Sequence, residues 1–438
     1  MFFLFLTLYV FLIFFSLLKI KDFISRNVII AYLSVWFIPL AISTFQPYGH
    51  YEISTYAYSL LFLNVLSFYC GFILINIKNF RYDLLNLLYN EVERIASNKY
   101  FSLFIILITF HVAYAYSITY SSLSYTGDLS ATRTLYYEGN FFPSHFNIPY
   151  IFFYPAIGFI LESMLFLLLF YRKRYFLVFV SGVYIFFLHS LKGSRIGYME
   201  ILCFLIFFLF CSKSSGEKKR KFYLLFYLFL ISIFLISSYT SFLRHKDKNL
   251  GENNIVFGIN ELCHTIIGYP TGAFVAFDYA LHNDYQENFG GYQYGRATFS
   301  SLDGLCGIFL RKIGIDYSKA AEYASFLNEN RINISSQSVG QTWNALYTSA
   351  LYHYLDFGIF GIFLFPFAIG CFLRYCLYLF YQIPSFALYI LLSYLFYVVI
   401  FTPLRFIPVF FYDFPFIIVL FFISSYKLIR HKKLSYYK

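Results

Sequence analysis

Charge is what this sequence has least of. Of its 438 residues only 13% are Asp, Glu, Lys or Arg, while 60% are hydrophobic and 25% aromatic. A soluble chain of this length cannot cover its surface with so few charges, so a soluble globular fold is excluded. Short alternating apolar strands, the mark of a transmembrane barrel, are missing as well. The apolar residues come instead in long blocks such as 1–18 and 406–424. Blocks of that length match the bilayer core, which takes roughly 20 helical residues. Backbone groups in lipid must be satisfied internally, so the blocks read as helices. The first block has no basic leader and no small-residue cleavage site, which makes it a retained span rather than a secretory signal.

Metal-ligand spacing is lacking among the seven cysteines. Cys70, Cys203, Cys211, Cys371 and Cys376 fall in or beside apolar blocks and read as small apolar fillers. Cys263 and Cys306 lie in the one large hydrophilic region and form a disulfide only if it faces an oxidising compartment. The net charge of +11 is not a nucleic-acid footprint. Most Lys and Arg sit in short connections between apolar blocks or in the C-terminal tail, where they report orientation.

These patterns predict an all-α polytopic membrane protein with about eleven spans, in the range of about ten to twelve. They lie near 2–18, 27–43, 56–76, 101–119, 149–170, 175–189, 196–211, 222–239, 357–377, 385–401 and 406–424. Five basic segments alternate with them onto one side: Lys19 to Arg26, Lys78 to Lys99, Arg172 to Arg174, Lys218 to Lys221, and Lys427 to Lys438. That side is cytoplasmic by the positive-inside rule, which puts the N-terminus outside. The chain then divides into an N-terminal bundle of about eight spans (1–239), a large outer loop (240–355), and C-terminal helices with a tail (356–438).

The loop is no linker. Ile255, Val256, Ile259, Leu262, Cys263 and Ile266 share one helical face, and Phe299, Leu302, Cys306, Phe309 and Ile313 share another. Both read as short amphipathic helices that pack over the outer mouth of the bundle. Between them, Asn288-Phe-Gly-Gly291 is a turn leading into Tyr292-Gln-Tyr-Gly-Arg296. There is no internal repeat.

Much chemistry is absent. No phosphate loop, nucleophile elbow, His-Glu-x-x-His or Asp-x-Asp pair is present, so ATP hydrolysis and metal-bound sugar nucleotides are not signalled. Among ionisable residues inside the spans, Glu162 and Glu200 are the clearest. Without Lys/Asp partners they make no proton relay, which argues against an ion-coupled transporter. No cofactor and no metal are expected. What stands out is a set of cations on the outer side, against the orientation rule: Lys192, Arg195, Arg244, Arg296 and Arg405. Arg at helix ends often snorkels to lipid phosphates. Several converging on one face suit a diphosphate, because guanidinium is always charged and forks two hydrogen bonds onto phosphate oxygens.

Three local patterns sharpen this. Lys192-Gly-Ser-Arg195-Ile-Gly197 opens a span after a short outer turn. Ser241-Phe-Leu-Arg244 precedes the large loop. Thr342-Trp-Asn-Ala-Leu-Tyr347 and Tyr354-Leu-Asp-Phe-Gly-Ile-Phe-Gly361 leave it. In these patterns, their order and its aromatic composition, the chain resembles the Wzy-type O-antigen polymerases. The resemblance implies a GT-C-like glycosyltransferase of the bacterial inner membrane with its active site facing the periplasm. It would polymerise undecaprenyl-diphosphate-linked oligosaccharide repeat units into O-antigen or capsular polysaccharide, without a metal. A chain-length regulator and a flippase are the implied partners. An O-antigen ligase, which passes glycan to lipid A core, shares the topology and the leaving group; the Asp-Phe-Gly pattern at the loop exit favours the polymerase. A lipid-linked oligosaccharide flippase should bury charge along many spans and needs no large loop.

Under this resemblance Arg195 and Arg244 contact the diphosphate, Arg296 is next, and Lys192 and Arg405 follow. His264, Asp278 and Asp303 are the candidate general bases, with no choice among them. Tyr347 belongs to the substrate-binding set, although no tyrosine among 45 is distinguished by sequence. Asp356 either orients an Arg or the acceptor, or caps the ninth span, where a carboxylate suits a helix N-terminus; the cap is the expectation. Gly358 and Gly361 are read as permitting close packing at the start of that span.

Overall fold

A computed structural model describes residues 1–77, 84–126, 153–191, 196–212, 267–317, 332–335, 342–343, 347–406 and 413–436, with single positions at 227, 231 and 235. Apart from one two-residue antiparallel ribbon, β1 (Ile332–Asn333) with β2 (Thr342–Trp343), the regular structure of these residues is helical. Six helices are long and apolar enough to cross a membrane: α1 (Phe2–Lys19), α2 (Phe23–Ser43), α3 (Thr55–Leu74), α5 (Lys99–Thr126) over Lys99–Ile118, α6 (Tyr154–Tyr171) and α13 (Ile359–Gln382). Four more are apolar but shorter: α7 (Tyr175–Leu191), α8 (Ile196–Cys211), α14 (Phe386–Phe401) and the Pro415–Tyr426 stretch of α15 (Asp413–Tyr436). The chain is thus a helical protein with the helices of a multi-pass membrane protein. The expected span at 222–239 lies outside the described residues. The last expected span moves: Phe406 is not helical, and α15 begins at Asp413.

The chain forms two compact units. The first comprises Met1–Phe80, His264–Gln382 and Leu395–Phe422. The second comprises Arg81–Cys263, Ile383–Tyr394 and Ile423–Lys438.

In the first unit, α1 and α2 pair through the Tyr9–Ser34 hydrogen bond. Helices α3 and α13 cross at two glycines. A Cβ on Gly71 would overlap the Phe367 carbonyl, and one on Gly370 the Phe68 carbonyl. Small residues let backbones approach this closely, which is how helices associate where lipid removes the hydrophobic drive. The close crossing belongs here and not only to the pair expected from sequence. Gly361 does sit against a backbone carbonyl, that of His353. Gly358 is instead a break, with φ +60° and ψ −138° between α12 (Ser349–Phe357) and α13.

In the second unit, residues 84–96, which the sequence reading left as a loop, form the amphipathic helix α4 (Leu84–Ala96). Leu84, Leu85, Leu88, Val92 and Ala96 make its buried face. Its polar side is tied down: Glu93 pairs with Arg174 at 3.1 Å, and Glu91 accepts the Phe386 amide at 2.8 Å.

These contacts bear on topology. In the first unit, Asp22 meets Arg374, joining two segments on the expected cytoplasmic side. Separately, Phe2 lies against Phe45, the Ser54 amide donates to Asp278, Tyr51 donates to the Ile334 carbonyl, and Ser349 donates to the Thr402 carbonyl. Those join segments all expected on the other side, the N-terminus among them. In the second unit, Glu91, Glu93, Arg174 and Phe386 again share one expected side. Each pair matches the alternation read from the basic segments.

Candidate functional site

Within the large loop the described helices are α9 (Tyr269–His282), α10 (Tyr285–Asn288), α11 (Ser300–Lys312) and α12. The tight turn after α10 needs left-handed backbone at Gly290, Gly291, Tyr294 and Gly295. It delivers residues 293–298 to the C-terminal end of α12. There the Gln293 amide donates to the Leu355 carbonyl at 2.9 Å, and the Tyr294 amide to the Asp356 carbonyl at 3.2 Å. The Asp356 carboxylate accepts the amides of Ala297 at 2.9 Å and Thr298 at 2.8 Å. The Thr298 hydroxyl bonds His353 Nδ1 at 3.0 Å. Two sequence patterns 60 residues apart, around Arg296 and around Asp356, are therefore one substructure.

Asp356 is fully buried and does not cap the span that follows it, as the sequence reading expected. Its charge is answered by backbone donors from another segment, the kind of partner a buried carboxylate requires. Burial pushes its pKa up, and the Thr298 hydroxyl with the Ala297 and Thr298 amides pulls it back. Beside it, His353 is buried against Phe365 and Phe406, and burial drops its pKa to about 3, so the ring is neutral at ordinary pH.

The clamped segment carries Arg296. Its Nε donates to Asp303 Oδ1 at 2.9 Å, with the Arg side chain 34% exposed and the Asp 4%. The guanidinium lies 5.0 Å from the centre of the Tyr317 ring, and the Tyr317 hydroxyl donates to the same Asp303 oxygen. Burial alone would lower the Arg296 pKa; Asp303 and Tyr317 outweigh it and hold it above its ordinary value. Asp303 therefore orients Arg296. A carboxylate committed to a guanidinium and a phenol is a poor general base.

Helix α11 is amphipathic, with its polar and small residues turned inward. Ser300, Ser301, Asp303, Gly304 and Gly307 are its buried residues. Phe309 and Ile313 are about 70% exposed, and Phe299 and Cys306 are exposed with them. The apolar stripe faces outward, next to Arg296, as on helices that lie in a membrane interface.

The other expected residues fall as follows. Arg405 is half-buried in the turn that follows α14 and acts electrostatically on Tyr352 of α12; the ring of its neighbour Phe406 lies tilted against Tyr352. The segments that carry Arg405 and Arg296 both pack on α12, and both reach His353. Asp278 accepts the Ser54 amide at 3.0 Å and its hydroxyl, tying α9 to the start of α3, which is a structural role. Tyr347 is 1% exposed beside Tyr285, so its ring offers no face to a sugar. Lys192, Arg195, Arg244 and His264 lie outside the described residues, as does Cys263; Cys306 carries no disulfide among the described residues.

One grouping in the second unit was half visible in sequence. Glu162 of α6 and Glu200 of α8 meet His189 of α7, with ligand atoms all within 4.8 Å of one another. His189 Nε2 is 2.7 Å from Glu162 Oε1. The two glutamates stood out as ionisable residues inside apolar blocks; His189 did not.

No protein-family model matches the chain, and neither a curated protein nor a solved structure does.

Proposed function

We propose that the chain is an integral membrane glycosyltransferase that polymerises undecaprenyl-diphosphate-linked repeat units on the outer face of the bacterial inner membrane. The observation that carries this reading is Arg296: a partly exposed guanidinium, fixed by Asp303, on a segment clamped by Asp356, beside a helix with an exposed apolar face. A lipid-linked diphosphate offers that arrangement its two halves, an anion at headgroup depth and a chain in lipid. The motif resemblance supplies the glycan chemistry, the GT-C-like class and the roles of Arg195, Arg244 and Lys192.

In the reaction, an acceptor hydroxyl attacks the anomeric carbon of the donor chain. The new glycosidic C–O bond forms as the anomeric C–O bond to the diphosphate breaks. The lipid diphosphate leaves with the bonding pair, and the hydroxyl proton passes to a base. Fixed arginines stabilise the charge that develops on the leaving group, the usual largest electrostatic contribution to such a step. Asp303 and Asp356 are positioning residues here.

The test is deletion of the gene in its host, with the surface glycan resolved on a gel. Lipid A core bearing a single repeat unit is the expected result. Bare core with lipid-linked polymer accumulating would make the chain a ligase, and bare core with single units held on the cytoplasmic face would make it a flippase.

A further inference from the structure

We infer that Glu162, His189 and Glu200 form a site for one divalent metal ion of the zinc class, inside the second unit and separate from the Arg296 segment. All three side chains are buried, at 0%, 0% and 4% exposure, on three different apolar helices. Two carboxylates and an imidazole converging within 4.8 Å give the nitrogen and oxygen donor set of a zinc site with three protein ligands.

The geometry also orients the ligands. A Cβ on Gly197 would overlap His189 Nδ1, so that edge of the ring packs on the α8 backbone while Nε2 faces Glu162. Binding of a metal would stretch the 2.7 Å Nε2–Oε1 contact to roughly 3.3 Å, the separation of two ligands each about 2.0 Å from a tetrahedral zinc.

His189 and Glu200 bracket positions 192–195 in the chain. A metal on them would pin α7 and α8 to α6 below that connection. The role is structural and does not depend on the glycosyltransferase reading.

The test uses the full-length protein purified in detergent, stripped with a strong chelator and titrated with Zn²⁺ and with Co²⁺. Wild type is expected to take up one ion per chain. The Co²⁺ form should show the visible absorption of a low-coordinate nitrogen/oxygen site, and zinc should raise Tm. Glu162→Gln and Glu200→Gln keep shape and are expected to weaken affinity at least about 100-fold, since loss of outer partners alone costs about 10–100-fold. Glu93→Gln, a partly exposed carboxylate of the same unit, should bind as wild type does. Equal metal content in wild type and both glutamine variants, or no uptake by a folded wild type, would overturn the site.

Discussion

The first unit contains two Arg–Asp pairs with the same 2.9 Å contact and opposite fates. Arg374 and Asp22 are 4% and 1% exposed. Arg374 spends Nη1 on Asp22 and Nε on the Ile75 carbonyl and lies 5.3 Å from the Phe72 ring; Asp22 also accepts from the Ser25 amide and the Tyr381 hydroxyl. That network is closed, and it joins the start of α2 to α3 and α13. Arg296 and Asp303 use the same two groups, but the guanidinium remains one-third in solvent on a segment held from behind. A closed pair specifies packing; an open one presents a cation. Contact distance does not separate the two, whereas what surrounds the second face of the arginine does.

The largest expected effect is on Arg296. Arg296→Ala should lower polymerisation by about 10²–10³-fold, as loss of one preorganised donor does elsewhere. Protein level and thermal stability should stay near wild type. Arg296→Lys should also be impaired, because a point cation does not fork. Wild-type chain-length ladders from both variants would remove Arg296 from the site.

Arg374→Ala should do the reverse, destabilising the fold by about 3–5 kcal/mol by leaving Asp22 buried and uncompensated. The double replacement Arg374→Met, Asp22→Leu should recover part of that loss in thermal unfolding. If Arg374→Ala instead folds well but does not polymerise, the division between closed and open pairs fails.

Asp356→Asn lies between these cases. It keeps the volume but has one acceptor oxygen for the two amides of Ala297 and Thr298, so activity should fall about tenfold, by the loss of one charge-assisted hydrogen bond worth about 1.5–3 kcal/mol. Melting should move by only a few degrees. An intact rate would show that the 293–298 segment does not need its clamp.

The effect that is smallest at neutral pH is a pH effect. His353 has a folded pKa near 3 and an ordinary value of 6.5. Between those values the unfolded chain binds a proton that the native chain does not, so this residue's contribution to stability falls as pH falls from 6.5 toward 3, by up to about 1.4 kcal/mol per unit. Melting of His353→Gln should be less acid-sensitive than wild type in that window; parallel curves would argue against a buried neutral ring.

Much of the fold was legible because length and apolarity alone mark helices suited to a bilayer. Arg296 and Asp303 were visible as residues, but their alliance was not, since nothing local in sequence joins Asp356 to the amides of 297 and 298. The stripe of α11 was legible but not the direction it faces. In a soluble protein an apolar stripe faces the core; beside lipid it can face outward equally well, and periodicity does not distinguish the two. Helix α4 was hidden among charges, although Leu84, Leu85, Leu88 and Val92 carry its spacing. His189 gave no signal because its partners lie on other helices.

The outward stripe of α11 has a kinetic consequence. On the function proposed above, in which that stripe lies against lipid, the cation beside it meets its amphiphilic ligand by lateral diffusion within one leaflet, so the concentration that governs encounter is ligands per lipid rather than moles per litre. Diluting proteoliposomes with buffer should leave that encounter rate unchanged, whereas adding inert lipid or detergent to the same vesicles should slow it in proportion.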